Sequence, residues 1–144
     1  MRVLEVQGSW GIDNLKIAER PDPTPGPGQI VVRMKAVSLN YRDYATVSFG
    51  MGGRMPLPLV PFSDGAGVVE AIGAGVTRVK VGDRVTSNFF AHTWIGGRPT
   101  PEKMAGALGR PTDGCSQELM LLSAEGVPKF PEHLSFQGAA TLAC

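Results

Sequence analysis

Val60-Pro61-Phe62-Ser63-Asp64-Gly65-Ala66-Gly67-Val68-Val69-Glu70-Ala71-Ile72-Gly73-Ala74-Gly75-Val76, resumed by Val81-Gly82-Asp83-Arg84-Val85, decides how this chain folds. Glycines spaced through an apolar, β-branched run mark a strand that must admit another backbone at close range or turn sharply. The polar pair Ser63-Asp64 stands at the start of that run, where a strand displays side chains. Gly73-Ala74-Gly75 superficially opens a dinucleotide fingerprint, but the third glycine is missing and no helical pattern follows, so a hairpin turn is expected. The stretch therefore predicts a strand with a polar site at its mouth.

Upstream, Met1 to Val6 and Leu15 to Ala18 read as short strands around the turn formers Gly8, Gly11, Asp13 and Asn14, an opening hairpin. Pro21, Pro23, Pro25 and Pro27 lock the next segment into a stiff surface connector. Gln29 to Leu39 is β-branched and apolar, with Arg33 and Lys35 on one face and Met34 and Ala36 on the other, the pattern of a central strand. Asn40 caps a short helix over Tyr41 to Val47, which Gly50, Gly52 and Gly53 end.

Downstream, residues 88 to 114 lose periodicity and read as a long excursion holding Phe89, Phe90, His92 and Trp94. Cys115 to Ser123 is a strand apolar on both faces. Ser135 caps a helix through Phe136, Ala139, Ala140 and Leu142, yet no stop signal precedes Cys144, so a chain severed by truncation or proteolysis is expected.

The 144 residues suffice for one core, with 14 Lys and Arg against 13 Asp and Glu. A net charge of +1 provides no long-range field to attract nucleic acid or an anionic membrane, and no apolar run approaches spanning length. Two cysteines are too few for a disulfide framework, and the N-terminus lacks a leader pattern, so a cytoplasmic location is expected. The 19 glycines and 12 prolines indicate many turns in a mostly β domain.

Four blocks in this order resemble the medium-chain dehydrogenase/reductase family. They are Pro25-Gly26-Pro27-Gly28-Gln29-Ile30-Val31-Val32, Ser38-Leu39-Asn40-Tyr41-Arg42-Asp43, Pro61 to Val85, and Leu134 to Leu142. The resemblance implies a mostly β, GroES-like, partly open β-barrel with a few short helices over residues 1–130, the substrate half of an NAD(P)-dependent oxidoreductase. Residues 131–144 would begin the connection to a Rossmann cofactor domain, and these residues alone would be inactive. A homo-oligomeric full-length protein is compatible with the resemblance.

In zinc-using members, catalytic metal ligands fall at positions that correspond here to Asn40, to Ser63 with Asp64 following, and to Cys144. An amide and a hydroxyl are poor zinc ligands, and one thiol cannot retain the ion, so no zinc is expected. Four closely spaced cysteines of a structural zinc are also missing between Val85 and Gly114. The resemblance is therefore to the zinc-independent, quinone-oxidoreductase-like branch, reducing a quinone, an enone or a related carbonyl with hydride from NADPH or NADH, NADPH favoured.

Without a Lewis acid, fixed hydrogen-bond donors must stabilise the charge that arrives with hydride. The resemblance makes the catalytic set Asn40, Tyr41, Asp43, Ser63 and Asp64, and the cofactor-facing set Asn40, Tyr41, Arg42 and Cys144. Asn40 is the leading donor, and the same side chain also fits a helix cap. Arg42 fits phosphate pairing and Tyr41 a proton path, while each equally fits a surface position. Asp43 and Asp64 are expected to orient neighbours. No phenol stands in the stretch Ser48 to Gly52, where some enoyl reductases of the family carry a proton-donating tyrosine, so fatty-enoyl reduction is disfavoured. His92 and His133 read as loop and surface residues, and Cys115 as a small buried one. Two alternatives stand beside this expectation: a zinc-type alcohol dehydrogenase with atypical ligands, and a non-catalytic GroES-like binding or assembly module.

Overall fold

Strands form where β-branched and apolar residues concentrate, and the turns fall on the glycines between them. The computed structural model describes residues 1–52, 55–94 and 96–144. β1 (Arg2–Val6) and β2 (Leu15–Glu19) pair antiparallel, Arg2 opposite Glu19 and Val6 opposite Leu15, as the opening hairpin. A second antiparallel sheet holds β3 (Gln29–Ser38), β4 (Asp64–Ile72), β5 (Arg84–Thr86) and β6 (Leu119–Ser123) in the order β5-β4-β3-β6. The two sheets are open and do not close into a barrel.

α1 (Tyr41–Phe49) follows β3, and Gly50 ends it in the left-handed region at φ 60°. That is two residues beyond the expected end, and Gly53 lies outside the described residues. The excursion contains a short helix that periodicity did not reveal, α2 (Pro101–Met104), whose Thr100 hydroxyl accepts from the Lys103 N–H. α3 (Phe136–Ala140) starts as expected, with Ser135 Oγ accepting from the Gly138 N–H at 3.0 Å.

β6 begins four residues later than the apolar pattern predicts. Residues 115–117 run beside β1 instead of β3: the Leu4 N–H donates to the Ser116 carbonyl at 2.8 Å, and Gln117 bridges Val3. Glu118 joins both strands, its N–H donating to the Arg2 carbonyl and its carbonyl accepting from the Met34 N–H, each at 3.0 Å. Alternation reports that a segment is extended but not which partner it pairs with. This change of partner ties the two sheets together.

The main core lies on the inner faces of the larger sheet, with Ile30, Val32, Val69, Val85, Met120 and Leu122 buried. Leu108 and Ala91 join it, so the excursion is anchored at both ends by apolar burial. A Cβ on Gly67 would run into the Arg33 carbonyl, which explains a glycine inside β4. After β4 the chain turns at Ala74-Gly75, where the Val76 N–H donates to the Gly73 carbonyl at 3.4 Å, and it returns as the antiparallel β5.

A second cluster, Ala66, Phe130, Ala139 and Ala140, holds α3 against β3 and β4. The Arg84 guanidinium lies 4.6 Å from the Phe130 ring centroid and 4.7 Å from that of Phe136. It also donates to the carbonyls of Glu132 and Leu134, so one side chain pins the segment leading into α3.

Candidate active site

The register between β3 and β4 places Ser38 opposite Asp64, and irregularities between Val31 and Val32 and between Met34 and Ala36 bend the strand that delivers Asn40. Two residues past Ser38, the Asn40 amide donates to Asp64 Oδ2 at 2.6 Å. Ser63 Oγ donates to the same oxygen at 2.6 Å. The Asn40 backbone N–H donates to Asp43 Oδ2 at 2.9 Å, which closes the first turn of α1. Asn40, Asp43, Ser63 and Asp64 thus form one connected cluster.

Asp64 and Ser63 are 0% exposed and Asp43 2%. Burial raises the Asp64 carboxyl above its ordinary range, the Ser63 hydrogen bond opposes this, and the nearby Asp43 charge adds to it. Among the described residues, Oδ1 of Asp43 and Oδ1 of Asp64 have no hydrogen-bond partner. Asp64 therefore holds its proton more tightly than a solvated carboxyl does.

Phe62 precedes this pair with φ 76°, a left-handed conformation that costs a non-glycine residue about 1–3 kcal/mol. Its backbone is held by the Cys115 N–H, which donates to the Phe62 carbonyl at 2.7 Å. A Cβ on Gly114 would meet the carbonyls of Phe62 and Pro61, so glycine is required behind the bend. No periodicity signals this residue, since the strain comes from contact with a segment far along the chain.

Arg42 turns inward. Its guanidinium donates to the carbonyls of Leu108 at 2.9 Å and Arg110 at 2.7 Å and lies 4.7 Å from the Phe89 ring centroid. Burial lowers its pKa, which nearby Asp43 opposes. The geometry gives Arg42 a task other than the expected phosphate pairing: it straps the excursion to α1. Tyr41 is 81% exposed, and its ring stands 6.0 Å from that of Tyr44.

Cys144 is exposed, and desolvation raises its thiol pKa, with Asp64 and Asp43 adding to the rise. It lines a cleft of about 630 Å³ together with Asn88, Phe89, Phe90 and Trp94. His92 is exposed and borders a different cavity, and His133 is exposed in the loop before α3. Cys115 is fully buried, and burial pushes its thiol up to about 12, so it is inert at neutral pH.

An open, strand-rich domain with a polar cluster at the mouth of its central strand pair and a separate aromatic cleft has the make-up of a GroES-like domain. The model of the alcohol dehydrogenase GroES-like domain matches residues 26–132, and the chain belongs to that family, within the medium-chain dehydrogenase/reductases. It is 41% identical over 135 residues to a zinc-type alcohol dehydrogenase-like protein of Schizosaccharomyces pombe, covering 93% of this chain and 39% of that protein. A solved structure from Sinorhizobium meliloti 1021, described as an alcohol dehydrogenase, superposes with a TM-score of 0.87 at 41% identity, over 99% of this chain and 42% of that one. A quinone oxidoreductase from Pseudomonas syringae pv. Tomato superposes with a TM-score of 0.74 at 31% identity, over 98% and 37%. The chain thus spans about two-fifths of the length of these relatives.

Proposed function

We propose that this chain is the substrate-side catalytic domain of a zinc-independent oxidoreductase that transfers hydride from NADPH or NADH to a quinone, an enone or a related carbonyl, with NADPH preferred. The observation that carries the proposal is the convergence of Asn40 and Ser63 on Asp64 Oδ2. At the positions where zinc-using relatives need ligands, this chain has an amide and a hydroxyl that act as donors to a carboxylate. Zinc takes thiolate, imidazole nitrogen or carboxylate oxygen; Asn40 and Ser63 offer none of these, and Asp64 Oδ2 is taken up by their two donations. Among the described residues no three His, Cys, Asp or Glu side chains gather to hold a metal. No step is therefore assigned to a metal.

A nicotinamide, when bound, supplies the hydride. The aromatic walls of the Phe89, Phe90 and Trp94 cleft, which Cys144 also lines, suit a planar ring. Asn40 then donates its second amide hydrogen to the substrate oxygen as negative charge develops there. Asp64 holds the amide in place, Ser63 holds Asp64, and Asp43 holds the Asn40 backbone. The cleft walls keep water from the reacting carbon, and the reduced oxygen takes its proton from solvent at the edge.

The proposal includes a continuation from about residue 131 into a nucleotide-binding domain and a cytoplasmic location. Its test is hydride transfer from NADPH to a panel of quinones and enones, using the protein at its full natural length. Turnover with 1,4-benzoquinone without added metal is expected. Cofactor binding with no transfer to any acceptor would refute it. The zinc-type name of the fission-yeast relative favours a second reading, an alcohol dehydrogenase with atypical ligands, which stoichiometric zinc in the purified protein would establish.

A further inference from the structure

A second, smaller cavity of about 200 Å³ adjoins Asn40 and shares no lining residue with the aromatic cleft. Its walls come from three separated parts of the chain: Ile12 and Leu15 of the hairpin, Leu39, Tyr44 and Val47 around α1, and Phe62 in its strained bend. Among the described residues, Asn40, Asp43 and the phenol of Tyr44 are its polar lining groups, and no Lys or Arg lines it. Arg42, the cation next in sequence, is held by the Leu108 and Arg110 carbonyls instead.

We propose that this cavity receives the uncharged, apolar substituent of the carbonyl substrate whose oxygen Asn40 binds, a short alkyl chain or one ring. This rests on the oxidoreductase reading above and narrows its substrate class. Three observations converge on it. The cavity shares Asn40 with the catalytic cluster, so a molecule held by that amide has the cavity within reach of its next few atoms. Its walls are aliphatic and aromatic, and burying apolar surface there is favourable at roughly 25 cal/mol per Å². Asp43 is the one acidic side chain lining it and no Lys or Arg does so among the described residues, so an anionic substituent such as a carboxylate or phosphate finds no cation to pair with.

Phe62 gives the wall a fixed position. Its left-handed backbone is locked from behind by Gly114 and the Cys115 N–H, so the cavity has a preset shape and does not need to be opened by the ligand. Volume sets the upper size: a five-carbon chain or a single ring fits, and a long acyl chain does not.

Saturated ketones test this without reacting at the exposed Cys144 thiol. Full-length protein with labelled methyl groups is titrated with 3-octanone, with 2-butanone and with 4-oxopentanoate, and methyl NMR shifts are followed. Saturable shifts at Ile12, Leu15 and Val47 are expected with 3-octanone, with at least tenfold weaker binding of 2-butanone and of the carboxylate. Leu15→Trp fills the cavity and should weaken 3-octanone by at least tenfold; Ile12→Trp at an exposed position does the same should the first variant fold poorly. Equal binding of all three ketones, absence of binding, or shifts confined to residues of the aromatic cleft would overturn the assignment. Turnover of 1,4-benzoquinone by the unaltered protein, measured in parallel, shows separately whether the parent reading stands.

Discussion

Asn40 carries two demands at once, a backbone N–H bound by Asp43 and an amide bound by Asp64. Replacing it by alanine leaves the first intact and removes the second. Asn40→Ala should cost about 1–2 kcal/mol of stability, since Asp64 loses a donor in a buried site. Hydride transfer in the full-length protein should fall on the order of 100-fold, the usual consequence of deleting one oxyanion-type donor. Urea unfolding and steady-state kinetics read the two effects separately, and a stability loss with unchanged kcat/KM would make Asn40 purely structural. Asp64 gives a prediction in pH. Its folded pKa lies above the ordinary 3.8, so the folded state holds this proton more tightly than the unfolded state. The stabilisation is complete below the ordinary value, declines as pH rises toward the folded pKa, and is constant above it. Asp64→Asn removes that dependence. The stability of the variant minus that of the natural protein should therefore increase with pH from about pH 4 upward and then level off, as measured by denaturation across a pH series; a flat difference would show that Asp64 is ordinary.

At the scale of elements, the docking of α3 depends on Arg84 more than on the helix itself. A helix of five residues is too short to be stable alone, so packing and its Ser135 cap must hold it. Arg84→Lys keeps the charge but loses the flat guanidinium between two rings and its paired donations to Glu132 and Leu134. It should cost about 1–2 kcal/mol in chemical denaturation and speed amide exchange in α3 before the β sheet is affected. Elements also show where sequence patterns are legible. β3 and β4 were readable because their alternation and glycines are local properties. The switch of residues 115–117 to β1 was not, because an extended segment accepts either partner until competing strands are placed. α2 escaped notice because four residues carry less than two helical turns of pattern.

For the whole molecule, the proposed chemistry requires a second domain. Residues 1–144 alone are expected to show no hydride transfer with NADPH and quinone, while the full-length protein turns over with well under one zinc per chain by metal analysis. Activity that depends on stoichiometric zinc would reverse the branch assignment. The sequence by itself determined that β1 to β4 are extended, that helices start after Asn40 and Ser135, and that Cys115 packs inside. Those features depend on residue type and near-neighbour spacing. Only the tertiary structure decided that Asn40 and Ser63 meet on one oxygen of Asp64, that Arg42 faces the Leu108 and Arg110 carbonyls, and that Phe62 is held in a left-handed bend. Asn40 and Asp64 are 24 residues apart, and Arg42 and Arg110 are 68 apart. The choice of hydrogen-bond partner over such separations follows from strand register and from which polar groups burial leaves within reach, and neither is encoded in local periodicity.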